Sequence, residues 1–322
     1  MTENLMNKTI GELLSDPRIA RIAPDAIRGR DLPHDPLWGK TLTEIRDEKL
    51  LTGDIAPGFE RLYRAADTGE WYYPLDDEAR GANLLWFPSD DPKADGRPFI
   101  LMAAGGGFVS VWSMTEAWPV AARFNRLGYH AFILTYHVDE RENLLRTDME
   151  DFARALRFIR ANRERFRVDG ESYITCGFSA GGYLVCLWNT GLGYALHGLP
   201  KPKATFPIYP VATLRPAIRY SAGDLPTSMR LYGCPAEEAA KQDFEILDHA
   251  DGFPPAAIFV AAEDELVNPE NSIQLAAALE KLGIPCRLEV GPTGGHGFAD
   301  GAGTCMAGWT DRAIGWFESI SQ

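Results

Sequence analysis

A serine flanked by glycines is the pattern in this chain best suited to chemistry. The run Cys176–Gly182 places Ser179 between Gly177 and Gly181. This G-x-S-x-G spacing is typical of a tight turn between a strand and a helix, where side chains two residues from the serine would collide with neighbouring backbone. The turn exposes the serine hydroxyl, and the N-terminus of the following helix favours a developing negative charge. The pattern therefore predicts a nucleophilic serine.

A serine hydroxyl needs a base to take its proton and a third group to orient that base. The motif alone decides little, because composition places it by chance in roughly one protein of this length in ten. Of six histidines, His296 is the one in a glycine-rich loop, Thr293–Phe298, just after a predicted strand. His137 also follows a predicted strand and is the second candidate. We expect His296 to be the base for Ser179.

The acid that orients the histidine should follow a strand between the serine and the histidine in the chain. The triplet Glu263, Asp264 and Glu265 directly follows the penultimate predicted strand. Acidic runs in loops are usually solvated surface, but here the carboxyl edge of the sheet is where an acid must lie to reach His296. We expect Asp264 to be this acid, with Glu263 and Glu265 as alternatives.

A glycine triplet follows the strand before the serine motif, in the run Ala104–Phe108. Glycines allow backbone N–H groups to approach a substrate oxygen closely, which suits the negative charge that develops on a carbonyl oxygen during acyl transfer. A flexible turn and a phosphate-binding loop are the alternatives. The phosphate loop is disfavoured because neither G-x-G-x-x-G nor G-K-[ST] spacing accompanies the triplet.

Strands and helices alternate along most of the chain, which predicts an α/β fold with a doubly wound, mostly parallel sheet. Ligands bind such sheets beyond the carboxyl ends of the strands. Six runs read as strands buried on both faces, and two earlier runs read as an antiparallel pair: 98–103, 131–136, 171–175, 204–209, 256–262 and 286–290, preceded by 71–75 and 82–87. A capping box at Thr147–Glu150 predicts a helix start. Asn268 and Pro269 predict another, which ends at Gly283.

The chain divides into two predicted parts. Residues 1–66 are predicted to be an N-terminal helical extension, because short amphipathic runs are interrupted there by prolines. Residues 67–322 are predicted to be the catalytic domain. The extension either packs over the carboxyl edge of the sheet as a partial lid or lies on the far side, and the sequence leaves both open.

Composition limits the partners. The net charge of −13 argues against nucleic acid and anionic membranes as partners and disfavours strongly anionic substrates. No apolar run reaches the length of a membrane span, and Met1–Lys8 has no signal-peptide pattern. Five scattered cysteines form no metal-binding motif. We expect a cytoplasmic protein with no metal or cofactor and a small-molecule substrate, and the oligomeric state stays open.

The combined pattern resembles the α/β-hydrolase fold, within its esterase/lipase group of hormone-sensitive-lipase-like carboxylesterases and acetyl-xylan-esterase-like enzymes. The resemblance covers residues 68–320. It is carried by the motif at residues 177–181, by the glycine triplet, and by the chain order Ser179, Asp264, His296.

The resemblance implies further roles by motif. Asp264–Val267 resembles the D-x-x-V segment of the family, which supports Asp264 over its neighbours. The N–H groups of Gly106, Gly107 and Ala180 would form the oxyanion hole. Ala104 stands where the lipase version has histidine, which favours the acetyl-esterase-like branch.

The function expected from the residues and the resemblance is hydrolysis of small uncharged carboxylic esters, with acetyl esters of carbohydrates among the candidates. One alternative is a peptidase of the prolyl-oligopeptidase type, although residues 1–66 are too few for the propeller domain that such enzymes usually carry. Another is a non-catalytic binding protein of the same fold. Trp112 and Trp118 either wall the pocket or pack in the core.

Overall fold

A single eight-stranded sheet organises the chain. The computed structural model describes residues 5–78, 81–215 and 227–321. The strand order is β1-β2-β4-β3-β5-β6-β7-β8, with bounds β1 Tyr72–Pro74, β2 Asn83–Phe87, β3 Phe99–Ala103, β4 Ala131–Thr135, β5 Tyr173–Phe178, β6 Ala204–Ile208, β7 Ala256–Ala261 and β8 Cys286–Gly291. β1 and β2 are antiparallel to their neighbours and the other pairs are parallel. The predicted mostly parallel sheet is confirmed.

Helices cover both faces of the sheet and also fill the N-terminal region. Their bounds are α1 Ile10–Leu14, α2 Ala23–Ala26, α3 Leu42–Asp47, α4 Ala56–Thr68, α5 Trp118–Arg126, α6 Leu144–Ala161, α7 Arg163–Phe166, α8 Ser179–Leu187, α9 Ser228–Tyr232, α10 Ala236–Ala239, α11 Glu270–Lys281 and α12 Trp309–Ile320. Every residue of β3 to β7 is buried. This burial explains their continuous apolar runs, because a parallel sheet is covered on both faces.

Strand register brings two loops together at the carboxyl edge. β3 lies between β4 and β5, and Ala103 pairs in register with Gly177. The glycine triplet after β3 therefore begins beside the turn after β5. β7 and β8 end at the same edge, so the loops that carry Asp264 and His296 leave the sheet on the same side.

Two helix boundaries test the predicted caps. α6 begins at Leu144, so the capping box predicted at Thr147–Glu150 is wrong. Asn143 has a φ of 59° and its carbonyl accepts the N–H groups of Arg146 and Thr147, which starts the helix a turn earlier. The start predicted for α11 holds within one residue, because the Asn268 side chain accepts the N–H of Glu270.

The N-terminal residues join the main core rather than forming a separate one. α4 packs closely on α5, since a Cβ on Gly58 would lie 2.8 Å from the Cβ of Trp118. Arg28 pairs with Val111 in an isolated bridge and donates to the carbonyl of Tyr136. This part of the extension therefore lies against the loops after β3 and β4. The predicted boundary between residues 66 and 67 falls inside α4.

No helix in the described ranges 5–78, 81–215 and 227–321 is long and apolar enough to cross a membrane. Met1–Lys8, in which the sequence shows no signal-peptide pattern, lies partly outside these ranges, because residues 1–4 are not among them.

Candidate active site

The turn between β5 and α8 holds Ser179 in a strained conformation. Ser179 begins α8 with a φ of 52°, a left-handed value that is uncommon for residues other than glycine. A Cβ on Gly177 would lie 2.2 Å from the carbonyl oxygen of Gly181, and one on Gly181 would lie 2.2 Å from that of Ala103. Both glycines are thus sterically required, as the spacing predicted. The turn fixes the serine at the carboxyl edge of the sheet.

Ser179, His296 and Asp264 form a continuous hydrogen-bonded chain. Ser179 Oγ lies 2.8 Å from His296 Nε2, and His296 Nδ1 lies 2.7 Å from Asp264 Oδ2. A carboxylate can only accept, so Nδ1–H donates to Asp264 and the lone pair of Nε2 faces the serine hydroxyl. The structure therefore brings together the three residues that the sequence singled out, in an arrangement suited to proton transfer from Ser179 to His296.

Asp264 is held by its own loop. Its Oδ1 accepts the N–H groups of Leu266 at 3.0 Å and Val267 at 2.8 Å, which leaves Oδ2 for the histidine. Asp264 is buried, whereas Glu263 and Glu265 are exposed. This turn gives a physical reason for the spacing from Asp264 to Val267.

The loop after β3 runs directly against the serine turn. A Cβ on Gly105 would lie 2.7 Å from the Cβ of Ser179. Gly106 and Gly107 have φ values of 140° and 64°, which favour glycine. Within the described ranges their N–H groups donate to no other protein group. Together with the N–H of Ala180 in the first turn of α8, these are the donors expected to be free for a ligand.

His137, the second candidate base, lies in a different cluster. Its Nδ1 is 2.7 Å from Asp151 Oδ2, and its Nε2 is 3.5 Å from Glu78 and 3.8 Å from Asp76. Burial lowers the pKa of His137, but the hydrogen bond with Asp151 and its charge raise it by more, so the pKa stands above its ordinary value. The structure thus pairs His137 with carboxylates and pairs His296 with Ser179.

The side chains around His137 also have the spacing of metal ligands. Two overlapping groups have ligand atoms within 4.8 Å of one another: Asp76, His137 and Asp151, and Glu78, His137 and Asp139. Arg141 already contacts the carboxylates of Glu78 and Asp139, at 2.8 and 2.5 Å. The cluster is therefore an ion-pair network in the structure, and we assign no reaction step to it.

Two buried residues behind the site escaped the sequence reasoning. Glu116 Oε2 accepts the N–H of Gly105 at 2.5 Å, and its Oε1 accepts the hydroxyl of Tyr209 at 3.1 Å. The Tyr209 ring packs edge-on against His296, with centroids 4.8 Å apart. Burial raises the pKa of Glu116. The available signal was a single acid within an otherwise uncharged segment after the glycine triplet.

The two tryptophans after the glycine triplet lie in different environments. Trp118 is fully buried and packs edge-on against Phe59 in the core, with centroids 5.5 Å apart. Trp112 is half-buried, and its indole N–H donates to Ser110 Oγ at 2.9 Å. Trp118 is thus a core residue, and Trp112 flanks the glycine loop.

A family and several known proteins are similar to this chain. A family described as alpha/beta hydrolase fold matches residues 100–300. Endo-1,4-beta-xylanase B from Butyrivibrio fibrisolvens is 31% identical over 244 residues, which cover 70% of this chain and 36% of that protein. Acetylxylan esterase from Xylanibacter ruminicola is 25% identical over 235 residues, covering 70% of this chain and 45% of that protein. This chain thus spans less than half the length of these curated relatives.

A solved structure shares the architecture. The acetyl ester-xyloside bifunctional hydrolase from Caldicellulosiruptor lactoaceticus superposes with a TM-score of 0.63 at 24% identity, covering 78% of this chain and 96% of that chain. At this level of identity the likeness concerns the fold.

Proposed function

This chain belongs to the alpha/beta hydrolase fold family, and from that premise we propose that it is a serine esterase of small uncharged carboxylic esters. The observation that carries the proposal is the chain of contacts from Ser179 Oγ to His296 Nε2 at 2.8 Å and from His296 Nδ1 to Asp264 Oδ2 at 2.7 Å. Such a chain activates an alcohol as a nucleophile towards a carbonyl carbon.

The proposed reaction has two halves. Ser179 Oγ attacks the ester carbonyl carbon while its proton passes to His296 Nε2, and the carbonyl oxygen becomes an oxyanion that accepts the N–H groups of Gly106, Gly107 and Ala180. His296 then gives its proton to the leaving alcohol, and an acyl-enzyme remains. In the second half, water attacks the acyl carbon and loses a proton to the same nitrogen. Collapse of that intermediate releases the acid and restores Ser179. Asp264 keeps the ring of His296 in the required tautomer throughout.

Acetyl esters of carbohydrates are the substrates we propose first. Two of the proteins similar to this chain, one a curated relative and one a solved structure, carry an acetyl ester activity in their names. The net charge of −13 also favours uncharged substrates over anionic ones.

Glycoside cleavage is a second candidate, because the curated relative with 31% identity is named as a xylanase. Most glycosidases place two carboxyl groups on either side of the bond that is cut. Here the Asp264 side chain has no exposed surface and already binds His296. The geometry therefore favours the ester over the glycoside.

A panel of substrates tests the proposal. p-Nitrophenyl esters from acetate to palmitate, acetylated xylo-oligosaccharides and p-nitrophenyl xyloside are incubated with the wild type and with Ser179→Ala. We expect release from the short esters and the acetylated sugars, none from the xyloside, and a loss on the order of 10⁶-fold in the variant. Ester hydrolysis that survives in a clean preparation of Ser179→Ala would exclude the serine mechanism.

We propose that residues 67–322 form the catalytic domain and that residues 1–66 contribute part of its rim, since Arg28 contacts the loops after β3 and β4. We also propose a cytoplasmic protein without nucleic-acid or membrane partners, in keeping with its five free cysteines and its negative charge.

A further inference from the structure

A buried carboxylate stands behind the glycine loop. Glu116 is 7% exposed and belongs to a π-helical segment, Ser113–Ala117, that precedes α5. The chain returns to the loop there, because the N–H of Trp112 donates to the carbonyl of Gly105 at 3.0 Å. Glu116 Oε2 accepts the N–H of Gly105 at 2.5 Å. Both polar backbone groups of Gly105 are thus tied to this segment.

The other oxygen of Glu116 holds Tyr209, the residue that follows β6. The Tyr209 hydroxyl donates to Glu116 Oε1 at 3.1 Å and accepts the N–H of Ala299 at 3.3 Å. The Tyr209 ring lies edge-on to His296 and to Phe298, with centroids 4.8 and 4.7 Å apart. Tyr209 therefore contacts the histidine loop through both its hydroxyl and its ring.

These contacts place the Glu116 carboxylate between the loop that carries the oxyanion donors and the loop that carries His296. Gly105 lies against Ser179 on the side of the oxyanion donors, since a Cβ there would approach the serine Cβ to 2.7 Å. Tyr209 lies on the side of the base. We propose that Glu116 is a positioning residue, which fixes the glycine loop through Gly105 and the ring of His296 through Tyr209. The inference rests on the proposed esterase function.

Stability of the fold alone does not explain why a glutamate occupies this buried position. Removing a carboxylate from water is costly, and well-packed apolar residues often replace buried charges without loss of stability. An acceptor with two oxygens does what an apolar side chain cannot: it holds two donors from separate loops at a set separation. Oxyanion donors must be held within about 0.5 Å of their productive positions, so this restraint bears directly on rate.

The test compares kcat and KM for p-nitrophenyl acetate in Glu116→Gln and in a matched control. The amide keeps the size of the side chain but places an NH₂ group either against the Gly105 N–H, which cannot accept it, or against the Tyr209 hydroxyl, whose own proton then loses its acceptor. We expect kcat to fall roughly 10- to 100-fold with KM within about twofold, less than the loss from deleting an oxyanion donor outright. The control is Asp148→Asn, a second buried carboxyl group, for which kcat should stay at the wild-type value.

Tyr209→Phe separates the two links, because it removes only the hydroxyl. We expect a smaller loss of kcat in this variant. The double variant Glu116→Gln/Tyr209→Phe should lose less than the product of the two single losses, since both act through one hydrogen bond.

The outcomes are distinguishable. A folded Glu116→Gln with wild-type kcat overturns the inference while the esterase proposal stands. If Glu116→Gln does not fold, Tyr209→Phe decides, and an unchanged kcat there overturns the link to His296. A wild type that hydrolyses none of the esters removes the proposed function itself.

Discussion

At the scale of single residues, Asp264 differs from its two acidic neighbours in what its carboxylate contacts. Asp264 Oδ2 lies 2.7 Å from His296 Nδ1, whereas Glu263 and Glu265 are exposed. In Asp264→Asn the amide NH₂ would face Nδ1 and favour the tautomer with its proton on Nε2. We expect kcat to fall by roughly 10⁴-fold, as for the corresponding change in a well-studied serine protease.

The matched controls are Glu263→Gln and Glu265→Gln, which change only surface charge and should keep wild-type turnover. Measurement of kcat for the three single variants decides between the acids. Normal turnover in Asp264→Asn, with collapse in either glutamate variant, would move the orienting role to that glutamate.

The two histidines that follow strands have different partners, so their removal should have different effects. His296 Nε2 lies 2.8 Å from Ser179 Oγ, whereas His137 binds Asp151 in a separate cluster. We expect His296→Ala to abolish ester hydrolysis and His137→Ala to retain it. Initial rates with p-nitrophenyl acetate, on samples whose fold is checked by circular dichroism, test this. The reverse pattern would mean that the base is His137.

At the scale of elements, most strands were predictable because they are short apolar runs bounded by turn residues. The burial predicted for 286–290 is wrong, because β8 is an edge strand that carries Arg287 and Glu289 and is only partly buried. The sequence also placed Ser179, Asp264 and His296 correctly at the carboxyl edge, since each follows a predicted strand. The start of α6 was predicted too late, at the capping box beginning with Thr147, whereas the helix begins after Asn143, which adopts a left-handed conformation. Local patterns do not reveal which residue adopts that conformation.

The contact between Glu116 and Tyr209 lay beyond sequence reasoning for a different reason. The two residues are 93 positions apart, and neither stands in a motif. Their pairing depends on β3 and β6 flanking β5, so that the segments after both strands meet behind Ser179. Such a pairing follows from the packed sheet and not from spacing along the chain.

The close packing of the turn after β5 predicts that a side chain at Gly181 destabilises the protein. In Gly181→Ala the new methyl group would lie 2.2 Å from the carbonyl oxygen of Ala103 and 2.4 Å from that of Ala104, which are backbone atoms of a buried strand end. We expect a loss of about 1–3 kcal/mol or more in the free energy of unfolding, with loss of activity, because overpacking forces the backbone to move. Urea unfolding of the wild type and the variant measures the change in the free energy of unfolding.

Gly315→Ala is the matched control for this prediction. Gly315 lies inside α12 with open space around the position of its Cβ. Alanine should stabilise it by up to about 1 kcal/mol, because alanine is the better helix former. If Gly181→Ala unfolds at the same urea concentration as the wild type, the steric account of the turn is wrong.

At the scale of the whole molecule, an ion-pair cluster joins three parts of the chain away from the serine site. The charged groups around His137 come from the β1–β2 connection, from the segment after β4 and from α6: Asp76 and Glu78, Asp139 and Arg141, and Asp151 and Arg154. His137 is 1% exposed. The cluster thus links the connection between β1 and β2, at the antiparallel edge of the sheet, to α6.

The charge of His137 should make stability depend on pH. Its pKa is raised in the folded protein above the ordinary histidine value of about 6.5, because the pairing with Asp151 outweighs burial. A raised pKa means that the folded state binds the proton more tightly than the unfolded state. The resulting stabilisation is fully present below the unfolded value, and it is lost as pH rises through the folded value. Burial also raises the pKa of Asp151, which acts in the same direction.

His137→Gln tests this dependence, since it keeps a hydrogen-bonding side chain without the titratable charge. Urea unfolding of wild type and variant at pH 5.5, 7 and 8.5 gives the difference in unfolding free energy at each pH. We expect the wild type to be favoured most at pH 5.5 and the difference to shrink as pH rises, because deprotonation of His137 leaves its neutral ring beside the carboxylates. Groups elsewhere titrate equally in both proteins and cancel in the difference. A difference that is constant across this range would mean that folding leaves the pKa of His137 unchanged, and one that grows with pH would mean that folding lowers it. Either result contradicts a stabilising charge on His137.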